Sequence, residues 1–470
     1  MTDPRTRRRH ALRVAAISAA LVLAGGAVAG ASFAPLPEYS VTADGILVEP
    51  VATTQQRACP GPMLTVGADG AVSSSGTPAT LFAATSGEVT NGSLSATQNS
   101  TGTLPAVGAL APVDAASQLA GSQTETLTGE EQAGLAVAAC QEGSGDAWLV
   151  GGATTTGRTT VLTLANPSQV PATVDLDLYG EGGPITAPGT EGISVAAGSQ
   201  RVLSLAGFAP DVVSPVVHVS SRGGSVVADL QQTTVRTLEA GGVDLIGPSA
   251  PPATDAVIPG VVLGQVAAVE NRLGEEGYGD LAPTLRLLAT GGQPTTVSVT
   301  VVPEDPNLAG AVFDVPLEAG VVFDLPVEGL AEGAYAIELT ADTPFVAAMR
   351  VATADDAGVN DFAWSTTTET LGDTTLAVLA PGEGAALRLA NPADVPATVT
   401  VAAPGGTSSV EVPAGGAVGV PVEASAAYTL TGTEGLHAAA SYGTPAKAGW
   451  LALGRPAPGS SPITVYPVPR

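Results

Sequence analysis

Short runs in this chain place apolar residues at every second position. Val174, Leu176 and Leu178 fall on one side of an extended segment and Asp175 and Asp177 on the other, the pattern of a strand with one buried and one wet face. The run belongs to a longer element that recurs. Leu162 to Val174 returns without a gap as Leu387 to Val399, and a weaker copy spans Leu285 to Val297. In each, alternating leucines predict a strand, a turn follows, and a second strand begins after Pro171, Pro294 or Pro396, where a missing N–H is tolerated.

The turn has its own chemistry. Asn166 with Pro167, and Asn391 with Pro392, pair a side chain that bonds the backbone just ahead with a ring that presets φ. The middle copy has Ala289 and Thr290 there instead, so its hairpin is expected to differ. Further turns are expected near Val195, Val315 and Val412, and alternating strand pairs over 216–230, 335–351 and 428–442. Three copies of one element predict three homologous domains. About six to eight short strands in each predict tandem immunoglobulin-like or fibronectin-like β-sandwiches in an all-β protein.

The resulting map is a basic tail (1–13), an apolar segment (14–34), a linker (35–56), a β-rich unit (57–147) and three repeats at 148–248, 255–355 and 360–470. Little helix is expected outside the apolar segment. That segment, Val14 to Ala34, has 21 uncharged residues and follows Arg5, Arg7, Arg8, Arg9 and Arg13. It is long enough to span about 30 Å of hydrocarbon with its basic flank on the cytoplasmic side, which places the remaining 436 residues outside. Ala29, Gly30 and Ala31 also offer small residues to a signal peptidase. A retained anchor and a cleavage near Ala31 both stay open.

Composition and charge agree with export. Gly (58) and Pro (38) are abundant, with Val, Thr and Ala, residues that favour strands and turns. Of 17 basic residues five precede Val14, leaving 12 against 43 acidic ones in the rest of the chain. A field of that sign repels nucleic acid and anionic headgroups, so no nucleic-acid partner is expected. Cys59 and Cys140 are an even pair on the exported side, and one disulfide closing about 80 residues is the economical reading.

The segments Ala58 to Pro62, Trp148 to Gly152, Leu164 to Pro167, Val195 to Gly198 and Val226 to Ala228 together resemble a family of uncharacterised actinobacterial cell-envelope proteins. The resemblance covers most of the chain and implies an N-terminal membrane segment and a β-rich extracellular body. It carries over no functional residue, because that family has no assigned activity.

Candidate chemistry is sparse. His218 and His437 occupy different positions within their repeats, with no metal-ligand partner at sequence spacing. Glu275, Glu276 and Asp280 gather on a glycine-rich loop that lacks the spacing of a calcium loop, and Asp355, Asp356 and Asp361 invite the same comment. No nucleophile elbow, zinc helix or phosphate loop stands in a suitable context. Trp148, Trp364 and Trp450 sit beside strand-like residues, where packing is expected before glycan stacking. The sequence therefore predicts a non-enzymatic, cofactor-free envelope protein, reaching the membrane through residues 14–34, that serves as spacer or protein-interaction platform. A carbohydrate- or cell-wall-binding module is the alternative.

Overall fold

The structure is a computed structural model that describes residues 46–48, 54–67, 71–113, 117–454 and 463–465. Residues 1–34, with the basic tail and the apolar segment, lie outside them. Among the described residues no helix is long and apolar enough to cross a membrane. Ile46–Val48 and Ile463–Val465 pair antiparallel in a unit separate from the body spanning Val51–Ser461.

The body is all-β, and its three repeats share one strand order. In repeat 1 the strands follow as Asp146–Val150, Arg158–Asn166, Ala172–Gly180, a fourth position split between Gly183–Ile185 and Ile193–Val195, Ser199–Ser204, Val216–Gly223, Val227–Arg236 and Glu239–Ile246. Counted one to eight, they form two sheets ordered one-six-three-four and five-two-seven-eight. Repeat 3 has the same order, from Thr374–Leu379 to Lys447–Ala452.

Repeat 2 has it too, with strands six and seven merged in Gly333–Ala354. The first half of this long strand pairs with strands one and three, and the second half with strands two and eight. Strand eight here is Asn360–Thr366, so repeat 2 extends past 355 and repeat 3 does not begin at 360. The physical reason is that Asn360–Thr366 is fully buried and completes the sheet formed by 348–354, which a turn at Asp355–Gly358 connects to it.

The region 57–147 is a fourth copy, which no recurrence in the sequence marks. Gln55–Ala58, Ala106–Leu110 and Val89–Ser93 form one sheet, and Ala79–Ala84, Leu119–Thr128 and Ala133–Ala139 the other. These are strands one-six-three and two-seven-eight, with no strand four or five among the described residues. Its first strand starts at Gln55, inside the expected linker. A short hairpin, Leu64–Val66 with Val72–Ser74, is inserted between strands one and two. The segment Ala96–Gln98 leaves the unit to pair in parallel with strand five of repeat 1.

The four units close into a ring. Repeat 1 shares a core with repeat 2 through Trp148, Ile246, Val346 and Trp364. Repeat 2 meets repeat 3 through Ala363, Ala439 and Trp450, and repeat 3 meets the 57–147 unit through Leu135 and Val137. The last interface joins that unit to repeat 1 through Ala58, Leu94, Ala165 and Val227. The four eighth strands, Ala133–Ala139, Glu239–Ile246, Asn360–Thr366 and Lys447–Ala452, pack against one another around the axis. One eight-residue α-helix, Val266–Leu273 (α1), lies in an insertion between strands one and two of repeat 2.

Candidate functional site: the ring axis

Where the four eighth strands end, a cavity of about 450 Å³ opens, walled by residues of all four units. Ala120, Ala138, Val378 and Trp450 supply apolar wall, and Arg57, Glu142 and Glu369 supply charge. Arg57 donates from Nε to the Leu119 carbonyl at 3.1 Å and reaches Glu142 at 3.7 Å. Burial lowers its pKa, opposed by Glu142. Gln118 crosses the seam between the 57–147 unit and repeat 3, donating to Thr374 O at 2.7 Å and accepting from Leu376 N at 2.8 Å.

Within the ring, Asp361 ties the units together. Its carboxylate accepts from Leu135 N (2.8 Å), Val243 N (3.1 Å) and Ala448 N (3.2 Å), one donor from each of the other three eighth strands. Gly134 and Gly242 allow this approach, because a Cβ at either would collide with the Asp361 side chain. Burial pushes the Asp361 carboxyl up to about 7 against the pull of those N–H groups. Nearby, Asp244 accepts from Trp364 N at 2.7 Å, and burial again raises its pKa well above the ordinary carboxylate range. Asp229 accepts from Gln141 Nε2 at 3.1 Å and is pushed by burial up to about 8.

Two arginines clamp neighbouring units. Each lies between the two leucines of a repeat, at the position expected to face water. Arg286 makes a two-pronged contact with Asp324, both prongs at 2.8 Å. It also donates to the carbonyls of Gly152, Val213 and Pro215 in repeat 1 and lies 4.7 Å from the Trp364 ring. Arg388 of repeat 3 reaches Glu304 of repeat 2 at 2.6 Å. The alternation correctly excludes both from their own core, but the opposite face meets the next unit.

Cys59 and Cys140 are disulfide-bonded. Asn166 and Asn391 fill equivalent turns: each donates from Nδ2 to the carbonyl four residues on (Val170, Val395) and accepts a backbone N–H two residues on (Ser168, Ala393), with Pro167 and Pro392 between. His218 lies between Asp146 (2.8 Å) and Asp177 (3.1 Å), both on adjacent strands, and stacks on Trp148. Sequence spacing misses this trio because the contacts are cross-strand. His437 is buried, with Nδ1 2.9 Å from Thr368 O, and burial lowers its pKa to about 4. Asp355 accepts N–H bonds from its own turn, and Glu275 pairs with Arg272. Asp280 is held by the arginines Arg158 and Arg236. Trp364 and Trp450 are buried, their indole N–H groups donating to Gln232 Oε1 and Pro259 O.

A family of unknown function (DUF5719) matches residues 94–434. The chain belongs to this family. The DUF5719 match runs from within the 57–147 unit through repeats 1 and 2 into repeat 3, so it takes in Asp361 and both clamp arginines. No curated protein matches the chain. A solved structure described as "Crystal Structure of Thermotoga maritima 1070" is similar at 16% identity over 24% of this chain and 92% of that one, with a TM-score of 0.20.

Proposed function

We propose that this DUF5719 chain is a non-enzymatic, extracellular cell-envelope protein that acts as a protein-interaction platform, with residues 14–34 as its membrane anchor or export signal. The observation that carries the reading is the closed ring. A chain folded back so that its first and last units touch is a rigid body presenting one composite cavity, which favours a platform over an extended spacer. The Cys59–Cys140 disulfide supports an oxidising compartment. Strands two, three, five and six support an immunoglobulin-related reading, since they pair as two-five and three-six, with strand four beside three. Strands one and seven then occupy each other's expected edges.

The test is crosslinking on intact cells with wild type and a cavity-rim variant, Glu142→Lys with Glu369→Lys. Loss of a specific crosslinked protein in the variant supports the platform. Unchanged crosslinks, or none in wild type, would reject it. A mature protein beginning at Ser32 would replace the anchor with a cleaved signal.

The alternative, a carbohydrate- or cell-wall-binding module, has support at one place. Trp148, Tyr179 and His218 stack on one face of the repeat 1 sheet, flanked by Asp146 and Asp177. Retention on purified cell wall that disappears with Tyr179→Ala would favour it over the cavity.

A further inference from the structure

The insertion 264–283 of repeat 2 is far longer than its counterparts in the other two full repeats, 151–157 in repeat 1 and 380–385 in repeat 3. It carries α1 and the short 3-10 turn Gly279–Leu281. Asp280, in that turn, meets Arg236 at 2.7 Å, Arg158 at 2.9 Å and Arg350 at 3.7 Å. These guanidiniums are carried by strands of repeats 1 and 2. Arg236 is fixed further by Asn360 Oδ1 at 2.7 Å and Gly241 O at 3.3 Å, and Arg350 by the Phe362 ring at 4.4 Å.

Three guanidiniums thus share one carboxylate, in a chain that from Val14 onward has 12 basic residues against 43 acidic ones. The side chains of Arg236 and Arg350 are only 5% and 7% exposed, and unbalanced buried charge is costly. Asp280 also serves the site incompletely: Nη2 of Arg350 is buried without a hydrogen bond, its nearest carboxylate oxygen 3.7 Å away.

We propose that Arg158, Arg236 and Arg350 form an oxyanion receptor for the carboxylate or phosphate group of a ligand, which Asp280 occupies from within and leaves when the ligand enters. Guanidiniums present planar forks suited to both groups, and a tetrahedral oxyanion has the extra oxygen that Arg350 lacks. The insertion is built to move. Only Val269 in its helix and Leu281 in its 3-10 turn are buried, and Gly277 and Gly279 have no neighbouring atom within 4 Å of where a Cβ would stand. Its latch is Tyr278, which lies against Arg236 and Arg272 and donates to Glu239 at 3.0 Å. Weakly packed segments of this kind open at low free-energy cost.

The experiment titrates the full chain with inorganic phosphate and, separately, acetate at constant ionic strength. Asp280→Asn, which keeps the shape and removes the competing charge, is expected to bind phosphate at least tenfold more tightly than wild type. Adding Arg158→Gln is expected to abolish that gain. In wild type, phosphate is expected to increase amide exchange over 264–283. A smaller response to acetate assigns the site to phosphate, and a larger one to carboxylate. No gain with either anion in Asp280→Asn, or a gain that survives Arg158→Gln, overturns the proposal. If Asp280→Asn does not fold, unchanged exchange over 264–283 in wild type with both anions overturns it equally.

Discussion

In repeat 3 both sheets carry four strands, and Leu387, Leu389, Val399, Val401 and Leu430 close a dense aliphatic core between them. The 57–147 unit keeps the same strand order but lacks two strands, and its Val89–Ser93 strand is largely exposed. Covalent and polar devices replace the missing apolar contacts. Cys59 follows the first strand and Cys140 the eighth, so the disulfide joins the two chain ends of the unit. Between Cys59 and Met63 lies a proline-rich segment that cannot build a ladder. The side chains of Gln123, Gln200 and Gln231 hydrogen-bond its backbone instead, and Met63 N donates to Glu125 at 2.7 Å. A topology that supports itself when fully stranded needs staples when truncated.

Four perturbations would break or sharpen this comparison. Replacing Cys59 and Cys140 by Ser should cost roughly 4 kcal/mol from loop entropy, read by denaturant unfolding. Equal loss across all four units would mean that the disulfide holds the ring and not one unit. Asp361→Ala should cost about 3 kcal/mol by leaving three buried N–H groups unpaired, with Asp361→Asn milder; an effect below the Asn391 change would contradict the pinning role.

Asn391→Ala in the fully stranded unit should cost about 1 kcal/mol, for the lost turn bonds. Asn166→Ala should match it, since the two side chains make corresponding bonds. The fourth perturbation is pH. The folded pKa values of Asp229 and Asp361, about 8 and 7, lie above the unfolded carboxylate value. Their stabilisation is complete below about pH 4 and is lost as pH rises through 7 to 8. His437, lowered to about 4, acts oppositely: its contribution is present above about 6.5 and fades towards 4. Two carboxyls outweigh one imidazole between pH 5.5 and 8.5, so the melting temperature should fall by a few degrees across that interval; a rise would reverse the assignment.

Much of the fold was legible because leucine alternation and the Asn-Pro turn are local. The fourth copy was not, because Thr85 and Ser86 stand where repeats 1 and 3 have Asn and Pro, and Ser, Thr and Gly dilute the pattern. Ring closure was also invisible: Arg286 and Arg388 look like ordinary wet-face residues until the neighbouring unit is present. Asp361 and Asp244 left a faint signal, each an acid inside an apolar strand. The axial cavity left none, since its walls come from segments hundreds of residues apart.

Ring closure also brings the two ends of the body together, since Arg57 and Gly454 line the same cavity. The order in which the units are threaded is then separable from their assembly. A circular permutant that begins at Ala253 and joins Gly454 to Gln55 through a short linker would retain all four interfaces and move only the covalent gap. Its melting temperature would measure how much cohesion depends on where the polypeptide is cut.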